Sequence, residues 1–229
     1  MLRNLFIAAA SSTLCVLLAS CASTSSTAAT LEEALSHDGL EKVSVKGIDL
    51  AYARPNAKLS NYKRFMIDPV EVAFSKSYTP PSTGSMIQPS SADRERIRAG
   101  VASVVREEFV RELQAAGGYP VVAAAGPDVL RVKAGIANLH VAAPDTAAVG
   151  RSRTYVVSAG EMTLVAELID SESGEVQARL VDRSEARSSG PRVSLSSPME
   201  NREEAREIAA AWAKVLRNAV DRAHGMEKK

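Results

Sequence analysis

The chain has 229 residues, 45% of them apolar, 24% charged and 4% aromatic, a globular composition that excludes wholesale disorder. Lysine and arginine number 28 against 27 acids, a formal charge of +1, which argues against a nucleic-acid surface of the kind that releases counterions. Both cysteines, Cys15 and Cys21, lie in the first 21 residues, which excludes a thiol zinc cluster or a disulfide framework in the folded part.

Arg3 and the free amine give a positive start, and Leu5 to Leu18 form an apolar run, the two opening regions of a secretory signal. The run is shorter than the roughly 20 apolar residues that cross a bilayer. Its end, Leu18-Ala19-Ser20-Cys21, resembles the lipobox of bacterial lipoproteins. That resemblance implies cleavage before Cys21, a covalent diacylglycerol on its sulfur and an N-acyl chain on the new amine. Residues 1–20 are then a lipoprotein signal peptide, and membrane attachment is by lipid alone. One acyl chain holds a protein only marginally, at about 0.8 kcal/mol per buried methylene, whereas two or three anchor it stably. Ala22, where an Asp would imply retention at the inner membrane, implies an outer-membrane, periplasm-facing position. An ordinary signal peptide with a chance cysteine is the alternative. Loss of Arg3 with the signal brings the formal charge to zero.

From Ala22 to Thr30 the chain is Ala, Ser and Thr only, which cannot bury enough surface to offset its ordering entropy, so residues 21–60 read as lipidated cysteine plus flexible tether. Leu31 to Leu40 carries at most a weak amphipathic turn. A single globular domain is expected over 61–225. It begins with a strand over Tyr62 to Phe74, in which Pro69 marks an edge or a bulge. A Ser/Pro-rich loop over Ser75 to Ser91 is either functional or mobile. Ser90 or Ser91 then opens a helix whose apolar stripe is Ile97, Val101, Val104, Val105, Phe109 and Leu113, ended by Gly117-Gly118 and Pro120.

Tyr119 to Ala123 is a short strand candidate. Val129 to Val141 is a longer one, with Leu130, Val132, Ala134 and Ile136 on one side and a phase shift at Leu139 that predicts a bulge between Gly135 and Asn138. Ala142 to Gly160 reads as a second long loop. Glu161 to Ile169 and Glu175 to Arg183 form a hairpin, with Met162, Leu164, Ala166 and Leu168 facing the same way as Val176, Ala178 and Leu180, and Gly174 in the turn. Glu200 to His224 is a helix with Ala205, Ile208, Trp212, Val215, Ala219 and Ala223 along one stripe, and Trp212 is its anchor to the sheet. The order is β-α-β-β-β-β-α. It predicts an α+β or α/β fold: one mixed sheet of about four to five strands packed by two amphipathic helices.

Chemistry-bearing constellations are sparse. His37, His140 and His224 lack a Gly-x-Ser-x-Gly setting, so no nucleophilic triad is expected. Asp170, Glu172 and Glu175 crowd a hairpin turn where solvated acids are ordinary, and no metal site is expected. Asp68-Pro69 reads as a strand-edge interruption or a buried strand acid. Arg151, Arg153 and Tyr155 form a compact basic and aromatic cluster that could meet lipid headgroups, glycan or an acidic partner, with a solvated loop as the plainer alternative. No nucleic-acid partner is expected.

Tyr62-Lys63-Arg64-Phe65-Met66-Ile67-Asp68-Pro69-Val70-Glu71-Val72, then Tyr119-Pro120-Val121-Val122, Gly126-Pro127-Asp128-Val129-Leu130, Glu167-Leu168-Ile169-Asp170 and Gly174-Glu175-Val176, resemble the bacterial lipoprotein family of domain of unknown function 3313. The resemblance runs from about Tyr62 to the Trp212 helix and departs in the Ser-rich stretch after Arg183. It implies an envelope lipoprotein and carries no catalytic or binding residues over. The leading expectation is a non-enzymatic, lipid-anchored binding or assembly module with an envelope protein partner. The alternatives are an envelope hydrolase acting on peptidoglycan or lipid, and a structural subunit of a larger oligomer.

Overall fold

The computed structural model describes residues 35–75, 90–140, 161–185 and 198–226. They belong to one compact unit that starts at Leu35. Among them run seven strands: β1 (Glu41–Val43), β2 (Leu50–Ala53), β3 (Arg64–Ile67), β4 (Glu71–Phe74), β5 (Val129–His140), β6 (Glu161–Asp170) and β7 (Val176–Glu185). Two helices, α1 (Ser91–Gln114) and α2 (Pro198–Ala223), complete the unit.

The strands form one mixed sheet in the order β1-β2-β7-β6-β5-β3, with β4 also paired to β5. β3 and β4 both run parallel to β5, at Val129 to Val132 and at Gly135 to Leu139. They are two halves of one edge ribbon broken at Pro69, which has no amide to donate to a ladder. The interruption expected at Asp68-Pro69 is thus present. All other neighbouring pairs are antiparallel.

The bulge on β5 falls where the phase shift predicts it. Pairing with β6 slips between Ala137 and His140, and Asn138 takes up φ 54°. The extra residue lets Leu139 return to the buried face beside Ile136. The β6–β7 hairpin also forms, with Leu168 opposite Ala178 and Ala166 opposite Leu180. A slip beside Ile169 leaves Gln177 unpaired, so Val176 turns to the opposite face from Ala178 and Leu180, contrary to the strict alternation expected.

One face of the sheet carries Phe65, Ile67, Leu130, Val132, Leu164 and Ala166, which pack beneath both helices in a single core. Helix α1 contributes Ile97, Val101, Val104, Val105, Phe109 and Leu113, the stripe read from the sequence. Helix α2 is rotated by about one position from the expected stripe. It buries Ala205, Ala209, Trp212, Ala213, Leu216 and Val220, while Ala223 is exposed. Alanines stand at so many positions of this helix that composition alone does not select the face.

Three expectations need correction. The sheet has seven strands among the described residues, more than the four to five expected. The additional ones are β1, β2 and the separate β4. β1 and β2 lie in the segment expected to be tether. β2 pairs with β7 from Leu50 opposite Val181 to Ala53 opposite Ala178, so the folded unit begins well before residue 61. Both strands are too short to show an alternating pattern, and β1 is exposed throughout. Finally, the strand expected over Tyr119 to Ala123 is a single parallel bridge between Val121 and Phe65.

On the face away from the helices, Leu35 and Leu40 cover Tyr52 and Val181. Beside that patch runs a ladder of charges. Arg179 Nε donates to Glu167 at 2.8 Å and its Nη2 to Asp38 at 2.6 Å, and Arg131 Nε donates to Asp68 at 2.9 Å.

Candidate functional site

The cysteine of the lipobox, with Leu18, Ala19 and Ser20 before it, lies outside the described residues, as does the Arg151, Arg153 and Tyr155 cluster. His140 ends β5, and its side chain is also outside them. Of the other histidines, His37 is exposed and its Nδ1 sits 2.7 Å from Asp38. His224 donates from Nε2 to the Tyr62 carbonyl at 2.9 Å, which fixes its tautomer, and its ring lies 5.8 Å from that of Tyr119. The acids of the hairpin turn serve the turn itself. Asp170 accepts the Ser173 amide at 2.8 Å and the Ser173 hydroxyl at 2.9 Å, and Glu175 pairs with Arg54. No group of three or more His, Cys, Asp or Glu side chains is placed to hold a metal among the described residues.

The site the fold does assemble was not legible in the sequence. Lys46 on the β1–β2 turn, Glu112 in the last turns of α1, and Lys214, Arg217, Asp221 and Arg222 on α2 line a cleft of about 490 Å³. Three segments far apart in sequence meet there because α2 packs along α1 and the β1–β2 turn packs on α2. A Cβ on Gly47, which has φ +84°, would lie 3.6 Å from Val215.

The floor of the cleft is tied down by hydrogen bonds. Arg217 Nη1 donates to the Glu112 carbonyl at 2.8 Å, occupying one of the acceptors that a helix C-terminus leaves open. Its Nε lies 3.5 Å from Asp221, whose other oxygen accepts the Tyr119 hydroxyl at 2.6 Å. Tyr119 reaches that position because α1 ends abruptly: its amide donates back to the Leu113 carbonyl at 2.7 Å. At Gly118 a Cβ would stand 2.2 Å from that same carbonyl, so only glycine fits. Burial, then the hydrogen bond to Asp221, push the Tyr119 phenol well above its usual value. Burial and Asp170 do the same to Tyr62, whose hydroxyl donates to Asp170 at 2.9 Å.

Glu108 of α1, which no pattern in the sequence singles out, is 3% exposed. It faces the Arg111 guanidinium and lies 3.8 Å from Arg206 of α2, an ion pair joining the helices. One of its oxygens has no aligned hydrogen bond among the described residues.

The fold defines the chain as a mixed-sheet α/β protein with two long helices on one face. The chain belongs to the DUF3313 family, proteins of unknown function, whose model matches residues 31–216. No curated protein matches the chain. Among solved structures, it is similar to a Xanthomonas campestris protein of family-model DUF330, at TM-score 0.41 and 10% identity over 72% of this chain and 89% of that one. A PelC dodecamer protein from Paraburkholderia phytofirmans overlaps at TM-score 0.34 and 10% identity, covering 78% of this chain and 98% of that one. Overlaps this partial bring no function to the chain.

Proposed function

We propose that the protein is a lipid-anchored bacterial cell-envelope lipoprotein whose domain is a non-enzymatic, periplasm-facing binding or assembly module. The observation that carries the reading is Leu18-Ala19-Ser20-Cys21 at the end of an apolar run headed by Arg3. Diacylglycerol on the Cys21 sulfur and an acyl chain on its amine attach the domain to the membrane, and Ala22 favours the outer membrane.

The non-enzymatic part of the proposal draws on how the polar groups are used. Asp170, Asp182 and Asp221 each accept a hydrogen bond from a tyrosine or the tryptophan, tying a loop to β6, α2 to β7 and a loop to α2. Such acids hold the fold together, which supports the non-enzymatic reading. In a bacterial host, globomycin, which blocks the lipoprotein signal peptidase, should cause a lipidated precursor to accumulate. Normal processing in its presence, with an unlipidated mature terminus, contradicts the anchor.

A further inference from the structure

The cleft between α2 and the β1–β2 turn carries a surplus of positive charge that the fold does not consume. Arg217 and Asp221 neutralise one another, and Asp221 is further occupied by Tyr119. What remains is Lys46, Lys214 and Arg222 against Glu112, a net charge of +2 on the lining. Lys46 and Lys214 are exposed and have no ion-pair partner among the described residues, and Arg222 Nε donates to the Asn218 carbonyl of its own helix at 3.2 Å.

The plainer account of these cations is that they offset the negative ends of α1 and α2, which both terminate near the cleft. Each helix end carries about half a negative charge, so the two together consume about one unit. A positive surplus survives that subtraction, and Arg217 already occupies the end of α1. The volume falls within the range of small-ligand sites, about 300–1,000 Å³. The floor is held by hydrogen bonds that do not need a ligand, so binding would not have to reorder it.

From this geometry we propose that the cleft binds a phosphate group. The match is one of charge and donor type. A phosphate monoester carries about −1.5 to −2 charges near neutral pH. Ammonium groups such as those of Lys46 and Lys214 suit its oxygens as point charges. The same phosphate oxygens are offered by a soluble phosphate and, as a singly charged diester, by a phospholipid headgroup. The proposal concerns the folded domain alone and does not depend on acylation of Cys21.

The test uses the full chain in micelles of a neutral detergent, titrated calorimetrically in one arm with inorganic phosphate and in the other with mixed micelles containing phosphatidylglycerol. Binding in the first arm identifies a soluble source, and binding only in the second identifies a headgroup. In either case K46Q/K214Q should weaken it about tenfold or more, and K46R/K214R should retain it. Both side chains are exposed, so an unchanged melting temperature verifies that each variant is folded. No binding in either arm, or binding that K46Q/K214Q leaves intact, overturns the proposal, whatever the state of Cys21.

Discussion

Trp212 Nε1 on α2 donates to Asp182 Oδ2 on β7 at 2.7 Å, and the other Asp182 oxygen accepts the Asp49 amide at 3.1 Å. One carboxylate thus joins the second helix, the sheet and the turn before β2. Trp212 is also buried in the main core, 4% exposed. Replacing it by Phe keeps much of the ring and removes the charged hydrogen bond, an expected cost of about 2 kcal/mol. D182A should cost a similar amount, because it leaves the buried indole N–H unpaired. Urea unfolding followed by circular dichroism measures both. Two variants as stable as the parent would show that the contact does not hold α2 to the sheet.

Acid should unfold the domain through a small set of carboxylates. The Arg64 guanidinium beside Asp128 holds that carboxyl below its usual range, and the Ser173 amide and hydroxyl do so for Asp170. Their folded values lie below the unfolded one of about 3.9. Their contribution is therefore fully present above that value and is lost as pH falls through the folded values. The urea midpoint should drop below about pH 4, and D170N should show a shallower drop from a lower starting stability. An identical acid profile for D170N would remove Asp170 from the account.

The two tyrosines predict the opposite limb. Tyr62 and Tyr119 are raised above the unfolded phenol value of about 10, so their contribution is complete below that pH and is lost as pH rises through the folded values. Y62F and Y119F should each cost about 1 kcal/mol near neutrality and flatten the alkaline loss of stability. Melting curves at rising pH read this directly. Unflattened curves in both variants would place the alkaline sensitivity elsewhere.

A chain beginning at Leu35 should melt like the full chain, whereas one beginning at residue 61 should lose β1 and β2, uncover Val181 and destabilise the β7 edge. Equal melting temperatures for the two truncations would return residues 35–60 to the tether.

How much the sequence revealed depended on pattern length. Helix α1 buries its stripe from Ile97 to Leu113, and β5 slips near Asn138, because both patterns run long enough for their period to be unambiguous. β1 and β2 cover only Glu41–Val43 and Leu50–Ala53, and β2 is placed by its pairing with β7, more than a hundred residues away. The burial of Glu108 depends on Arg206 arriving from the other helix. The cleft was illegible for the same reason. Lys46, Glu112 and Lys214 are unremarkable surface residues until tertiary packing brings them together.

The most direct test of the central claim is intact-mass and N-terminal peptide mass spectrometry of the protein extracted from bacterial envelopes. The account predicts a chain that begins at Cys21 and carries a thioether-linked diacylglycerol with an amide-linked acyl chain. A mature terminus at another residue, or Cys21 present as a free thiol, would contradict it.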